Sequence, residues 1–135
     1  MPPRAMLDTN VVVHLRQGRP EVLSAFHAQR AEDLVLSVVT VGELTFGAER
    51  SQQRDAARER LLASLSVLDV EPLPVGAAAH YGEIRARLAA RGMMIGGNDL
   101  WIAAHARARG YVLVTDNERE FPRVEGLTIE NWARW

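Results

Sequence analysis

Four carboxylates of this 135-residue sequence stand where predicted strands end or predicted helices begin. They are Asp8, Glu43, Asp99 and Asp116. Carboxylates crowded into one small space repel one another, and burial raises their pKa values, so such a cluster calls for a cation. Mg²⁺ prefers a few carboxylates together with water and phosphate oxygens, and Mn²⁺ is similarly oxygen-seeking. The chemistry that this set would support is metal-assisted hydrolysis of a phosphodiester, in which the ion activates water and neutralises charge in the transition state.

The strands that would carry these acids are short and apolar. Residues 4–8 and 111–115 predict two strands that end on an acid or directly before one. The β-branched run 34–39 predicts a third strand, buried on both faces and ending near Thr40. In a parallel α/β sheet, strand ends and helix starts share one edge. We therefore expect the four acids to converge on that edge.

The remaining acids are assigned to helix starts. The pattern Thr40-x-x-Glu43 predicts a capping box, with Glu43 in the first turn. Asn98 or Asp99 is expected to cap a helix that Gly110 ends. Each of the four acids therefore also has a purely local explanation as a cap or turn residue. Their joint position at one edge is what favours a shared site.

The other predicted elements continue an alternation of strands and helices. They are helices over 9–15, 21–30 and 76–90, a pair of helices within 41–65, a helical turn over 117–121, and strands over 67–70 and 126–130, with a flexible glycine-rich link at 93–97. The two helices within 41–65 are expected to join near Ser51 and Gln52. This order predicts a three-layer α/β/α sandwich with a central, mostly parallel sheet, formed as a single domain over residues 1–135.

Composition narrows the class of protein further. The chain is 47% hydrophobic and 24% charged, as ordinary globular proteins are, and its net charge of -1 gives no overall basic bias toward nucleic acid. Without cysteine it has neither a disulfide framework nor a thiolate metal site. No stretch reaches the ~20 apolar residues that span a bilayer, and residues 1–4 do not resemble a signal peptide. We interpret the protein as cytoplasmic, without a membrane partner.

Several motifs carry a family resemblance. They are 6–10 (MLDTN), 37–44 (SVVTVGEL) with 47–48 (GA), 96–106 (GGNDLWIAAHA) and 114–117 (VTDN), followed by Phe121 and Trp132. In order and spacing they resemble the motifs of PIN-domain ribonucleases and, more closely, of the VapC-type toxins of bacterial type II toxin–antitoxin pairs. The resemblance covers essentially the whole chain.

That resemblance implies an activity and partners. The activity is that of an Mg²⁺-dependent endoribonuclease toxin, with Mn²⁺ as a possible substitute, that cleaves RNA and so inhibits translation. Such toxins are usually homodimers, held inactive by a small antitoxin whose C-terminal segment enters the acidic groove. Relatives with an Asn-x-x-Glu-Phe segment, here residues 117–121, act on structured RNA such as the anticodon stem-loop of initiator tRNA.

The resemblance also implies roles for individual residues. Asp8 and Asp99 would bind the metal, with Glu43 and Asp116 completing the catalytic site. Thr9 and Thr115 would form hydrogen bonds within it.

Two questions stay open at this point. The fourth carboxylate could come from Asp116 or from Glu120, one turn further on. A PIN-like module that binds RNA or protein without catalysis is the rival function, although such a module has no reason to bear the repulsion among its carboxylates. The four histidines, at 14, 27, 80 and 105, are interpreted as packing or surface residues, and the tryptophans at 132 and 135 as anchors of the chain end.

Overall fold

The computed structural model describes residues 3–133. Its elements are β1 (Ala5–Leu7), α1 (Thr9–Arg16), α2 (Pro20–His27), β2 (Leu34–Ser37), α3 (Val38–Arg50), α4 (Arg54–Leu65), β3 (Asp69–Glu71), α5 (Ala77–Ala90), α6 (Gly97–Arg109), β4 (Val112–Val114) and β5 (Thr128–Glu130). Two 3₁₀ turns lie at Ala31–Asp33 and Phe121–Arg123. None of the helices in this part of the chain is long and apolar enough to cross a bilayer. Trp132 is buried as expected of an anchor, whereas Trp135 and residues 1–2 lie outside the described residues.

The five strands form one parallel sheet in the order β3-β2-β1-β4-β5. β1 lies at its centre, and its Met6 and Leu7 point to opposite faces because successive side chains alternate along a strand. Met6 packs against the layer of α5 and α6, and Leu7 against the layer of α1 to α4. The predicted three-layer sandwich with a parallel sheet is therefore confirmed.

The connections from the central strands leave in opposite directions. The chain after β1 crosses to β2 on one side, and the chain after β4 crosses to β5 on the other. The amide of Asp8 donates to the carbonyl of Val114 over 2.9 Å, so the ends of β1 and β4 meet. The carboxyl edge between them is a topological switch point, where open α/β sheets form their binding crevices.

The start of α3 differs from the sequence prediction. β2 ends at Ser37, whose hydroxyl accepts a hydrogen bond from the Val39 amide and caps the helix that begins at Val38. This cap outweighs the strand preference of the β-branched residues behind it. The predicted strand end near Thr40 and the capping box of Thr40 and Glu43 are therefore wrong. Glu43 lies in the second turn of α3 rather than the first.

The start of α6 also differs. The helix begins at Gly97, and Gly96 is its N-cap without a side-chain cap. The predicted caps, Asn98 and Asp99, are instead its second and third residues. The backbone closes the first turn unaided, since the Leu100 amide donates to the Gly96 carbonyl over 2.9 Å. The helix ends at Gly110 in the left-handed conformation, φ 69°, as predicted.

The remaining differences are at element ends. α2 ends at His27, and the edge strands β3 and β5 have three residues each. The helical turn predicted over 117–121 is replaced by the 3₁₀ turn at Phe121–Arg123. In the link at 93–97 Ile95 is buried, 5% exposed, in the core between the sheet and α6. The separate helices α3 and α4 and the break after Ser51 agree with the prediction.

Candidate active site

Asp8 forms the floor of the site. It follows β1 directly and caps α1: its Oδ1 accepts from the Thr9 amide over 2.8 Å, and its Oδ2 accepts from the Thr115 hydroxyl over 2.8 Å. Only 4% of the residue is exposed. Burial raises the pKa of the Asp8 carboxyl, Glu43 and Asp116 raise it further, and the two hydrogen bonds oppose the shift.

Glu43 reaches the same edge from α3. Its Oε1 accepts from the hydroxyl of Thr9 over 2.5 Å. Thr9 therefore contacts two acids, Asp8 through its backbone amide and Glu43 through its side chain. The second-turn position of Glu43 on α3 places it at this edge even though it is no cap.

Asp99 is the acid whose protonation differs most from its ordinary behaviour. It is half-buried in the first turn of α6, and its pKa is raised to about 7. Burial is the largest cause, followed by the charges of Asp8, Glu43 and Glu120. Near neutral pH the ion-free cluster therefore retains a proton that an isolated aspartate would have lost.

Glu120 belongs to the same cluster. It lies close enough to Asp99 to raise the pKa of that carboxyl, and Asn117 holds it from two sides: Asn117 Nδ2 donates to Glu120 Oε2 and Asn117 Oδ1 accepts from the Glu120 amide, both over 3.0 Å. The Asn117 amide in turn donates to the Thr115 hydroxyl. The local pattern Asn-x-x-Glu thus serves to aim Glu120 at Asp99.

Asp116 is held by a residue that the sequence interpretation passed over. His14 Nε2 lies 2.6 Å from Asp116 Oδ2, with 17% and 28% of the two side chains exposed. The sequence interpretation of His14 as a packing or surface residue did not anticipate this contact with an acid of the cluster. One local signal could have revealed it, namely a polar residue inside the apolar run of α1, about one and two-thirds turns after Asp8.

The structure brings the four predicted acids together. Asp8 lies within electrostatic range of Glu43 and Asp116, and Asp99 within range of Asp8 and Glu43. Within residues 3–133 no group of three or more His, Asp or Glu side chains is arranged so that it could hold a metal ion. The chemistry of the donors nonetheless fits a hard divalent cation, because all of them are carboxylate oxygens and because burial and neighbouring carboxylates both raise the pKa values of Asp8 and Asp99.

Comparison with known sequences gives one family. Residues 5–127 match the PIN domain. The chain is 47% identical over 132 residues to Ribonuclease VapC2 of Haemophilus influenzae, covering 95% of this chain and 97% of the relative. It is 40% identical over 129 residues to the tRNA(fMet)-specific endonuclease VapC of Shigella flexneri, covering 95% and 97%.

Comparison with solved structures agrees. A DNA-bound VapBC complex from Salmonella typhimurium contains a chain with TM-score 0.90 and 36% identity, covering 97% of this chain and 99% of that one. VapBC2 of Rickettsia felis, bound to a DNA fragment from its promoter, gives TM-score 0.89 and 32% identity, with 95% and 98% covered. Both similarities extend over the whole sheet and its helices.

Proposed function

The chain belongs to the PIN-domain family and is a VapC-type endoribonuclease, and from this premise we propose that it is an Mg²⁺-dependent toxin that hydrolyses phosphodiester bonds in structured RNA. The substrate we propose is tRNA, with the anticodon stem-loop of initiator tRNA as the favoured target. Cleavage there would stop translation, and it would take place in the cytoplasm, where this RNA is found.

The observation that carries this proposal is the acidic cluster at the switch point, with Asp99 at a pKa of about 7. Carboxylates on an ordinary protein surface are solvated and ionised at neutral pH, so a buried group of them in which one keeps its proton points to a functional site. A divalent cation would remove that conflict and supply the positive charge that a phosphodiester needs in its transition state.

The residues have separate tasks in this mechanism. Asp8 and Asp99 would hold the ion, and Mn²⁺ could replace Mg²⁺ because both prefer oxygen donors. Glu43 and Asp116 would orient the attacking water. Thr9 and Thr115 keep the carboxylates of Glu43 and Asp8 in fixed orientations, since each hydroxyl donates to one of them. The bound ion would lower the pKa of its water and neutralise charge on the phosphate.

We propose a role for each of the two candidates for the fourth carboxylate, Asp116 and Glu120. Asp116 lies close enough to Asp8 to raise the pKa of Asp8, whereas Glu120 lies close enough to Asp99 to raise the pKa of Asp99. We assign Asp116 to the catalytic set as the fourth carboxylate. Glu120 would support Asp99 as a fifth.

The names of relatives support the substrate and the partner. The Shigella flexneri protein is named as specific for tRNA(fMet), and the Salmonella and Rickettsia structures are of VapBC complexes. We propose a cognate antitoxin that covers the acidic site, and a homodimer as the free state. These partners concern this chain by similarity, at 32% to 40% identity.

The experiment is cleavage of RNA by the purified, antitoxin-free chain. Total bacterial RNA and isolated initiator tRNA would be incubated with it in Mg²⁺ or in EDTA, beside Asp8→Asn and a matched control, Glu59→Gln, which replaces an exposed acid on α4. We expect cleavage in Mg²⁺ alone, equal rates for wild type and Glu59→Gln, and a loss of at least about 100-fold for Asp8→Asn.

Three results would contradict the proposal. Equal cleavage by Asp8→Asn, or cleavage that persists in EDTA, would assign the activity to something other than this site. If wild type and Asp8→Asn bind the RNA but both leave it intact in Mg²⁺, the chain is the RNA-binding module of the rival hypothesis.

A further inference from the structure

We infer that His14 is a positioning residue of this site, which holds the Asp116 carboxylate by one oxygen and leaves the other oxygen to face the ion or its water. The inference rests on the proposed function, because a carboxylate needs positioning only if the cluster binds an ion. It adds to the site a residue of α1 to which the proposed function gives no role.

The contact is specific in its atoms. His14 Nε2 and Asp116 Oδ2 lie 2.6 Å apart although 102 residues separate them along the chain. The other imidazole nitrogen, Nδ1, is buried without a hydrogen-bond partner among the described residues. Arg19 Nη1, which can only donate, lies 3.4 Å from the same Nε2, but the contact with Asp116 is far shorter. A buried N–H without an acceptor costs more than a buried lone pair, so we place the proton on Nε2, which donates to Asp116. Asp116 Oδ2 is thereby occupied, and Oδ1 is the oxygen left for the ion.

Asp116 is not fixed by a regular element. It lies in a bend after β4, outside any helix or strand. Asp8 receives two hydrogen bonds, Glu43 receives one from Thr9, and Glu120 receives one from the side chain of Asn117. Within residues 3–133 the side-chain hydrogen bond that the structure gives to the Asp116 carboxylate comes from His14. Partners of this kind commonly set the affinity of metal sites by orienting the ligands.

α1 fixes His14 relative to Asp8. The carbonyl of Asp8 accepts from the amides of Val11 and Val12 over 3.0 and 3.3 Å, so the helix starts on the acid itself. Val11 and Val12 are only 2% and 1% exposed, which anchors α1 in the core. Because His14 follows on the same short helix, its bond to Asp116 sets the spacing between Asp116 and Asp8.

The test measures Mn²⁺ binding to the purified, antitoxin-free chain by calorimetry, together with the melting temperature and the kcat and KM for RNA. His14→Phe keeps a ring of similar shape without a donor, and His14→Gln keeps an N–H that can reach a carboxylate. Asp116→Asn and the double variant His14→Phe/Asp116→Asn close a cycle, and His27→Phe replaces an exposed histidine as the matched control.

We expect His14→Phe to weaken Mn²⁺ binding about 10-fold, with kcat lowered and KM for RNA unchanged. His14→Gln should recover part of the affinity, and His27→Phe should bind as wild type does. In the double variant, His14→Phe should add nothing to the effect of Asp116→Asn, since there is no carboxylate left to position.

Three results would overturn the inference. Wild-type affinity in His14→Phe, with only the melting temperature lowered, would make His14 a packing residue. Equal effects of His14→Phe with and without Asp116→Asn would show that it acts elsewhere. If the wild-type chain binds no Mn²⁺ at all, the proposed function fails first and His14 has nothing to position. The first two outcomes leave the nuclease proposal intact.

Discussion

At the scale of single residues, Thr9 sets the distance between two acids. Its backbone amide donates to Asp8 and its hydroxyl donates to Glu43, so one residue at the start of α1 holds both carboxylates. On the opposite side the Thr115 hydroxyl donates to Asp8 and accepts from the Asn117 amide, which fixes the orientation of the Asp8 carboxylate. The carboxylates are thus oriented before any ion arrives, which reduces the entropy lost on binding.

Asp99 gives a prediction about stability in the absence of metal. Its pKa is about 7 in the folded chain and 3.8 in the absence of the fold, so the folded state binds more protons between these values. Stability of the ion-free protein therefore falls as pH rises through this window. Asp99→Asn removes the effect, and we expect the variant to exceed wild type by about 1–2 kcal/mol at pH 8, after allowance for solvent screening, and to approach it near pH 4.

Thermal unfolding in EDTA from pH 4 to pH 8 would check this. Glu59→Gln serves as the control because it replaces an exposed acid far from the cluster in sequence. A difference between Asp99→Asn and wild type that stays constant across the pH range would contradict the raised pKa.

At the scale of elements, a row of hydrogen-bonded side chains joins the N-terminal cap of α3 to α6 and β3. His105 of α6 is fully buried: its Nδ1 contacts the Ser37 hydroxyl at 2.9 Å and its Nε2 contacts Glu71 Oε1 at 3.3 Å. Burial lowers the pKa of His105, so the neutral ring accepts from Ser37 and donates to Glu71. Tyr111 donates to the second oxygen of Glu71 over 2.5 Å. Since α3 carries Glu43 and α6 carries Asp99, these hydrogen bonds set how the two helices approach the site.

Ser37→Ala should be costly for this reason. The change removes the cap of α3 and leaves His105 Nδ1 buried without a partner, at a cost of about 2–3 kcal/mol, or roughly 10 °C in melting temperature. Ser24→Ala, at an exposed position of α2, is the matched control and should leave the melting temperature nearly unchanged. A Ser37→Ala variant within about 0.5 kcal/mol of wild type would show that the chain of hydrogen bonds is dispensable.

The sequence predicted elements better than their junctions. Asp8 was placed correctly because an apolar strand and a helix meet there without a loop between them. The starts of α3 and α6 were misplaced because a single side chain, Ser37, or none at all, at Gly96, decides where a helix begins. The periodicity of apolar residues does not predict the residue at which a helix begins.

The contacts between distant parts of the chain could not be predicted at all. His14 with Asp116 and Ser37 with His105 are separated by 102 and 68 residues. Only the packing of α1 and α6 on the two faces of the sheet brings these pairs together. The roles of the acids in binding and catalysis were implied by family resemblance and stay predictions.

At the scale of the whole molecule, the acidic cluster joins the two layers of helices across the sheet edge. Glu43 comes from the layer of α1 to α4, Asp99 from the layer of α5 and α6, and Asp8 from the strand between them. An ion held by Asp8 and Asp99 would link the sheet to the layer of α5 and α6, with Glu43 of the other layer beside it, and would favour the folded state by mass action.

We therefore expect Mn²⁺ to stabilise the whole chain. At 100 times its dissociation constant the gain is about 2.7 kcal/mol, or roughly 10 °C in melting temperature. At a fixed Mn²⁺ concentration the gain should be larger at pH 8 than at pH 6, because below a pKa of about 7 the ion must displace a proton from Asp99. Differential scanning calorimetry of wild type, Asp8→Asn and Glu59→Gln would measure it. An equal gain in Asp8→Asn would mean that the ion binds elsewhere.

The two outer strands of the sheet have a consequence for the protein at high concentration. β3 and β5 are only three residues long, and each carries acidic side chains: Asp69 and Glu71 on one, Glu130 on the other. A strand from another molecule that paired with either margin would gain few main-chain hydrogen bonds. The sheet is thus protected against growing from one molecule into the next, as amyloid does.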